Sequence, residues 1–420
     1  MDLGRRARSI ALVKQLGPGL VTGAADDDPS GIATYSQAGA QFGFGLLWTL
    51  VLTYPLMCAV QLVSAHIGRV TGHGLAKNMG DILPRWLVTG LITLLFVANT
   101  INIGADIAAM GDAAQLVVGT GGHVFTVVFA IGSLLLQMFV PYRRYAAFLK
   151  WLTLVLFAYV ALILMVHVDW SAAAKGLVWP VIVGAGGVTT VVAIFGTTIS
   201  PYLFFWQSSQ EAEEVEMNGA ARPLIDAPEQ APREYTRMRL DTFGGMALSN
   251  LVAIAIMIGT AATLHASGKT DIATAADAAQ ALRPVAGQFA FLLFALGIIG
   301  TGLLAVPVLA GSAAYAVGEA RGWKIGLEHK PWEAVGFYSV IGVATLLGIA
   351  IDWSPLDPIK ALFWSAVING VVAVPIMAAM MLVVSRHSAM GGFTATRMLL
   401  FFGWAATLVM AAAAVAMLLL

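Results

Sequence analysis

Charge is what this 420-residue chain has least of: 11% of its residues are Asp, Glu, Lys or Arg, against about a quarter in a soluble globule. With 59% hydrophobic residues and a mean hydropathy of +0.83, the composition excludes a water-soluble domain and calls for a bilayer. An excess of either sign is also missing, since 23 basic residues balance 23 acidic ones. No global field recruits nucleic acid, and any electrostatic function must come from where individual charges stand. The single cysteine, Cys58, lies in an apolar run, which excludes an intramolecular disulfide, a cysteine zinc site and thiol chemistry as the main business. There is no phosphate loop or dinucleotide fingerprint after a strand, and no nucleophile with an adjacent base, so an enzyme is not expected. Connections are short too. The longest, 168–186, 213–239 and 265–285, hold no folded soluble domain, and residues 1–420 read as one membrane domain.

What the chain does have is apolar length. A helix needs about 20 residues to cross about 30 Å of hydrocarbon, and eleven stretches qualify: 13–41, 44–68, 86–115, 123–141, 145–167, 187–212, 240–264, 286–318, 334–351, 361–385 and 398–420. Arginines precede the first, but Asp26 to Pro29 interrupt it and no small-residue cleavage site follows, so a removable signal peptide is not expected. With the N-terminus placed in the cytoplasm, all but Lys175, Lys269, Arg283 and Lys360 of the 23 basic residues fall on the inner side, the bias that sets orientation. That predicts a multi-pass protein of the plasma (inner) membrane with its C-terminus outside.

The first and sixth stretches are broken. In GPGLVTGAADDDPSGIATYSQAGAQFG, the run Asp26, Asp27, Asp28, Pro29, Ser30, Gly31 makes a poor continuous helix, because proline removes a donor and clashes one turn back while glycine relaxes the chain. In the sixth, Gly196, Thr197, Thr198, Ile199, Ser200 and Pro201 predict a second break at a similar depth. Interrupted segments at corresponding positions of two halves point to a transporter with inverted repeats and a midplane site. The repeats run over about 13–167 and 187–385, with 398–420 as an addition. A plainer reading is that Asp28-Pro29 and Ser200-Pro201 are each an N-cap followed by proline at the first helical position, as at any helix restart. That explains Asp28 but not Asp26 and Asp27, which face the unfavourable end of the preceding helix dipole. A carboxylate in mid-membrane costs about 2.5–3.5 kcal/mol on insertion scales. Three of them, with no basic residue in the segment, call for a cation or for protonation.

These residues resemble the natural resistance-associated macrophage protein family of divalent metal transporters. That family's first-helix signature is Asp-Pro-Gly-Asn, and Asp28, Pro29, Ser30, Gly31 stand in a similar frame, preceded by Gly-Pro-Gly at 17–19 and followed by FGFGLLW at 42–48. Its sixth-helix signature, Gly-Ala-Thr-Val-Met-Pro-His-Asn, aligns with Gly196 to Leu203. The resemblance implies an all-α membrane protein with eleven transmembrane helices, a five-plus-five inverted repeat (the LeuT-like fold of sodium-coupled amino-acid transporters) and broken helices 1 and 6. It implies inward movement of a divalent metal ion by alternating access, with that ion as cargo and no cofactor; the oligomeric state is left open.

The departures carry information. The family's metal-binding aspartate is kept as Asp28, but its asparagine is Gly31 and its methionine is Ser200. A thioether helps select soft transition metals, whereas carboxylate, hydroxyl and carbonyl oxygens suit harder ions. Asp28 with Asp26 or Asp27, Ser200, and Thr197 or Thr198 would form an all-oxygen site favouring Mg²⁺ or Mn²⁺. Gly31, Tyr202 and Asn369 are expected to line its pocket, Asn369 standing nearest to a family position that can contribute a ligand. The family's titrating histidine aligns with Tyr202, and an acidic residue of its third helix with Ala109, so proton coupling, if retained, falls to Asp106 and Asp112, with Asp26 or Asp27 as substitutes. An alternative keeps the fold but moves a small organic solute, lined by Tyr202, Phe204, Phe205 and Trp206. Glu211, Glu213, Glu214 and Glu216 read either as a solvated helix end or as an acidic inner vestibule, and Arg237, Arg239 and Asp241 as an interfacial cluster. Asn99 and Asn102 share one side of the third span and are expected to bond to neighbouring helices.

Overall fold

The computed structural model describes residues 22–23, 25–140, 153–181, 184–217, 219–353 and 357–420, and these are mostly helical, with no strand among them. The beginning of the first span, the Gly-Pro-Gly run at 17–19 and the basic residues Arg143, Arg144 and Lys150 lie outside the described residues.

Helix α1 (Pro29–Phe42) begins after a break at Asp27 and Asp28. Proline at its first position needs no hydrogen bond there, and Gly43, at φ 57°, ends it. Helix α2 (Trp48–Thr71) closes on Gly72 in the left-handed conformation. A short amphipathic helix, α3 (Leu75–Ile82), leads into α4 (Arg85–Val118). At 1.5 Å per residue α4 is about 51 Å long, so it runs through the hydrocarbon and beyond it. Then come α5 (Gly122–Phe139), α6 (Phe157–Met165), the short α7 (Trp170–Val178) and the broken pair α8 (Gly184–Thr198) and α9 (Pro201–Met217). The second half continues with α10 (Ala231–Thr263), α11 (Ala290–Arg321), α12 (Val335–Ile351), α13 (Pro358–Val384) and α14 (Arg397–Leu419).

Among the described residues, eight stretches are long and apolar enough to cross a membrane, and Leu154–Met165 and Val335–Ala350 are shorter apolar helices. The seventh span starts at Ala231 rather than at 240, because Pro232 and Glu234 supply a good first turn. Arg237 and Arg239 are therefore helical residues.

The packing exchanges partners between the halves. The first span (α1) lies on the seventh (α10) as the sixth (α9) lies on the second (α2), while the third and eighth (α4 and α11) pack on each other. Two halves related by inverted symmetry require this exchange. Two glycine contacts let backbones touch where the breaks are. A Cβ on Gly23 would overlap the backbone of Gly245 on α10, and one on Gly196 would overlap the Ala366 carbonyl and Gly370 on α13. Large apolar side chains such as Leu164, Leu346, Phe401 and Leu418 point outward, as expected of surface facing lipid.

Candidate cation site

The first break is built around Asp28. Its backbone is extended (φ −71°, ψ 169°) and Oδ1 accepts from the Gly31 amide at 2.8 Å and the Ser30 hydroxyl at 2.6 Å, so the aspartate does cap α1. Its other oxygen does more. Oδ2 accepts from the Tyr202 hydroxyl of α9 at 3.2 Å and from Asn102 Nδ2 of α4 at 3.3 Å. The cap and the candidate ligand are two faces of one carboxylate, and the residue is 1% exposed. The Tyr202 hydroxyl also stands 3.2 Å from the Ala25 carbonyl, which the break has freed.

Asp26 and Asp27 are buried beside it and turn toward α10. The Ser249 hydroxyl lies 2.7 Å from Asp26 Oδ2 and 3.0 Å from Asp27 Oδ1. Asp26 Oδ1 has no hydrogen-bond partner among the described residues. The triplet thus divides: Asp28 toward α4 and α9, its two neighbours toward α10.

At the second break Ser200 Oγ bonds back to the Gly196 and Thr197 carbonyls at 2.8 and 2.9 Å, and Thr198 Oγ1 to the Ile194 carbonyl at 2.8 Å. Their hydroxyl protons satisfy the end of α8, a common use of serine and threonine in helices, which leaves oxygen lone pairs as what they can offer an ion. Thr197 meets the first break directly: a Cβ on Gly31 would stand 3.1 Å from Thr197 Oγ1 and 3.3 Å from the Tyr35 ring. Asp106, one turn beyond Asn102, is buried with neither carboxylate oxygen hydrogen-bonded among the described residues, and Asp28 is its charged neighbour. Asp112 is not brought to the site; its charged neighbours are Asp357, Asp352 and His123. Asn369 is buried with both amide atoms unpartnered among the described residues, next to the Gly370 that packs on Gly196.

No group of three or more His, Cys, Asp or Glu side chains among the described residues could by itself hold a metal ion. Any ion here must draw on hydroxyls, amides and carbonyls as well as carboxylate. Reasoning from sequence missed Ser249, Asn102 as a partner of Asp28, and Ser365, whose hydroxyl is 2.8 Å from Asn102 Oδ1. The i, i+4 spacing of Asn102 with Asp106, and of Ser365 with Asn369, was the available signal.

Within the glutamate cluster Glu216 is exposed, as at a solvated helix end, but Glu211 is not. Glu211 is fully buried and paired with Arg237 at 2.5 Å, and Arg237 also reaches Glu234 at 3.0 Å and Glu214 at 3.4 Å. Arg69 joins the same network through Glu234 at 3.4 Å. Glu213 accepts from the Tyr315 hydroxyl at 2.5 Å. Glu211, Glu214, Glu234 and Arg237 thus form a packed ionic clamp between α9 and α10. Asn99, as expected, bonds to a neighbouring helix, through the Leu309 carbonyl and Ser312 at 2.9 and 2.8 Å.

Comparison with known proteins gives a consistent picture. A family profile described as natural resistance-associated macrophage protein-like matches residues 19–420. A divalent metal cation transporter MntH of Klebsiella pneumoniae is 29% identical over 415 residues, covering 96% of this chain and 92% of that protein. The protein of the same description from Pectobacterium carotovorum is 29% identical over 310 residues, 72% of this chain and 71% of its own length. Among solved structures, a manganese transporter of Eremococcus coleocola superposes with a TM-score of 0.75 at 18% identity, over 96% of this chain and 85% of that one. Mhp1, a nucleobase-cation-symport-1 family transporter in a closed conformation, gives 0.58 at 13% identity, over 96% and 92%. Both likenesses are of fold.

Proposed function

Because the chain belongs to the natural resistance-associated macrophage protein-like family, we propose that it carries divalent metal cations inward across the plasma membrane by alternating access, around an oxygen site where its two helix breaks meet. The observation that carries this reading is the buried Asp28 carboxylate, held at the first break by Tyr202 from the second and Asn102 from the third span. An anion so placed in hydrocarbon costs free energy unless a cation or a set of donors compensates it. Relatives described as divalent metal cation transporters support the cargo class.

The donor set favours hard ions. Ser200 stands where the family pattern has methionine, and the surrounding oxygens of Thr197, Tyr202 and the Ala25 carbonyl suit Mg²⁺ or Mn²⁺ over softer metals. On this reading Asp28 is the anionic ligand, and Asp26 and Asp27 add negative potential from the α10 side. Asp106 is the group best placed for a coupling proton, since it is buried beside Asp28 without other partners among the described residues, while Asp112 stands apart. The N-terminus is cytoplasmic and the C-terminus outside, with eleven spans in two inverted repeats. The organic-solute alternative is weakened at Trp206, which packs edge-on against Tyr315, 6.1 Å between centroids, and against Gly311.

The test is uptake by purified protein in liposomes. Mg²⁺ or Mn²⁺ should enter saturably and Asp28→Ala should abolish it. Saturable uptake of an organic solute, with no response to any divalent ion, would overturn the proposal.

A further inference from the structure

We infer that Asn102 is the amide ligand of the cation held by Asp28, and that Ser365 sets which end of that amide faces the ion. This rests on Asp28 being the anionic ligand. The two oxygens of Asp28 have different company. Oδ1 is held by Ser30 and Gly31 of α1 itself, so those bonds travel with the helix. Oδ2 is the oxygen that faces other helices, and its partners there are Asn102 Nδ2 and the Tyr202 hydroxyl.

A cation approaching Oδ2 meets the amide's N–H groups, which repel it. An asparagine carries an acceptor on its other end, and rotating the amide by half a turn exchanges the two. Such a rotation is ordinarily opposed because it strands whatever the oxygen was bonded to. Here it strands nothing. Ser365 Oγ lies 2.8 Å from Asn102 Oδ1 and also 2.8 Å from the Leu362 carbonyl, with one proton for two acceptors. With no ion bound, Ser365 donates to Asn102 Oδ1 and the amide nitrogen donates to Asp28. After rotation, Ser365 donates to the Leu362 carbonyl and accepts from Asn102 Nδ2, and Asn102 Oδ1 joins Asp28 Oδ2 in facing the ion. Both states satisfy the amide.

The spacing fits an ion. Neighbouring ligands of an octahedral ion bound at about 2.1 Å stand about 3.0 Å apart, and the Asn102 and Tyr202 atoms are 3.3 and 3.2 Å from Asp28 Oδ2. Position 31, where the family pattern has asparagine, supplies no ligand: it is glycine, and a Cβ there would press on Thr197 and Tyr35. Asn102 brings an amide oxygen to the same carboxylate from another helix.

Calorimetric titration of Mn²⁺ into the purified full-length protein tests this. Asn102→Leu, equal in size but without the oxygen, should weaken binding by about tenfold or more, and Asn102→Asp should restore it. Ser365→Ala should weaken it by about tenfold, as loss of an orienting partner does at metal sites, while Ser365→Thr, which keeps the hydroxyl, stays near the parent. Parent-like binding by Asn102→Leu alongside loss in Asp28→Ala would overturn the role of Asn102 and leave Asp28 standing. Retained binding in Asp28→Ala would instead remove the premise. Should Asn102→Leu fail to yield monodisperse protein, equal affinities for Ser365→Ala and Ser365→Thr refute the inference.

Discussion

Arg237→Met is the substitution whose cost the structure specifies most sharply. Its guanidinium reaches Glu211 at 2.5 Å, Glu234 at 3.0 Å and Glu214 at 3.4 Å. Glu211 has no exposed side-chain surface, and its remaining polar contact is Gln207 Nε2 at 3.3 Å. Removing the arginine leaves a carboxylate that water cannot reach, a loss of about 3–5 kcal/mol for a broken buried pair. Removing both charges should cost far less, because an apolar pair of similar volume avoids desolvation altogether. Glu211→Leu combined with Arg237→Met is therefore expected to recover most of the single variant's loss, the remainder reflecting Glu214, while Glu234 keeps Arg69 at 3.4 Å. Reversible unfolding in mixed micelles, run as a double-mutant cycle, measures the coupling directly. If the double variant is as unstable as Arg237→Met alone, the clamp is not what holds α9 to α10 and the argument fails.

Three further outcomes follow from the site. Ser200→Met places a soft thioether at the second break and should raise the ratio of Cd²⁺ to Mg²⁺ binding by about tenfold or more, equivalent to about 1.4 kcal/mol; an unchanged rank order in competition uptake would show that position 200 does not face the ion. Gly196→Ala pushes a methyl group into the Ala366 carbonyl and Gly370, so unfolding measurements should register a loss of about 1–3 kcal/mol from overpacking, and a neutral result would mean that α8 and α13 separate freely. Ser249→Ala deprives Asp26 and Asp27 of the hydroxyl they share. A loss of about 1.5–3 kcal/mol is expected for hydrogen bonds to charged groups, and parent-like stability would place those carboxyls in contact with water.

Both breaks are legible in the sequence because proline and glycine act locally: Asp28-Pro29 and Ser200-Pro201 restart helices wherever the rest of the chain goes. The membrane setting is legible because apolar length is a property of one segment at a time. Contacts between segments are not. Asn102 lies on a helix face with Asn99, one residue bonding to α11 and the other to Asp28, and nothing in their i, i+3 spacing says which neighbour each will meet. Glu211 looks like part of a solvated cluster because its counter-charge, Arg237, lies beyond the connection at 218–230. Ser249 carries no local signal; it acquires a role because Gly23 lets the segment before the break approach the α10 backbone at Gly245, one turn earlier.

Under the proposed alternating access, the division of the aspartate triplet bears on how one helix break would serve two conformations. Asp28 is tied to α1 by Ser30 and Gly31, and to α4 and α9 by single hydrogen bonds from Asn102 and Tyr202. Asp26 and Asp27, before the break, are tied to α10 instead. The segment before the break also reaches α9, through Thr22 and Gln207 at 2.5 Å, and Gln207 continues to Glu211 of the clamp. Each hydrogen bond from a neutral donor to a carboxylate contributes about 1.5–3 kcal/mol. Moving a two-state equilibrium from one side to the other takes about 5.5 kcal/mol of differential binding. Exchanging the two bonds from Asn102 and Tyr202 for cation contacts would therefore involve about 3–6 kcal/mol, a shift of the needed size. A site whose carboxylate were held only by its own helix would bind an ion without coupling it to any neighbour. On the proposed reading, the donors that an ion at Asp28 would displace belong to the third and sixth spans, so its binding would be felt on both helices.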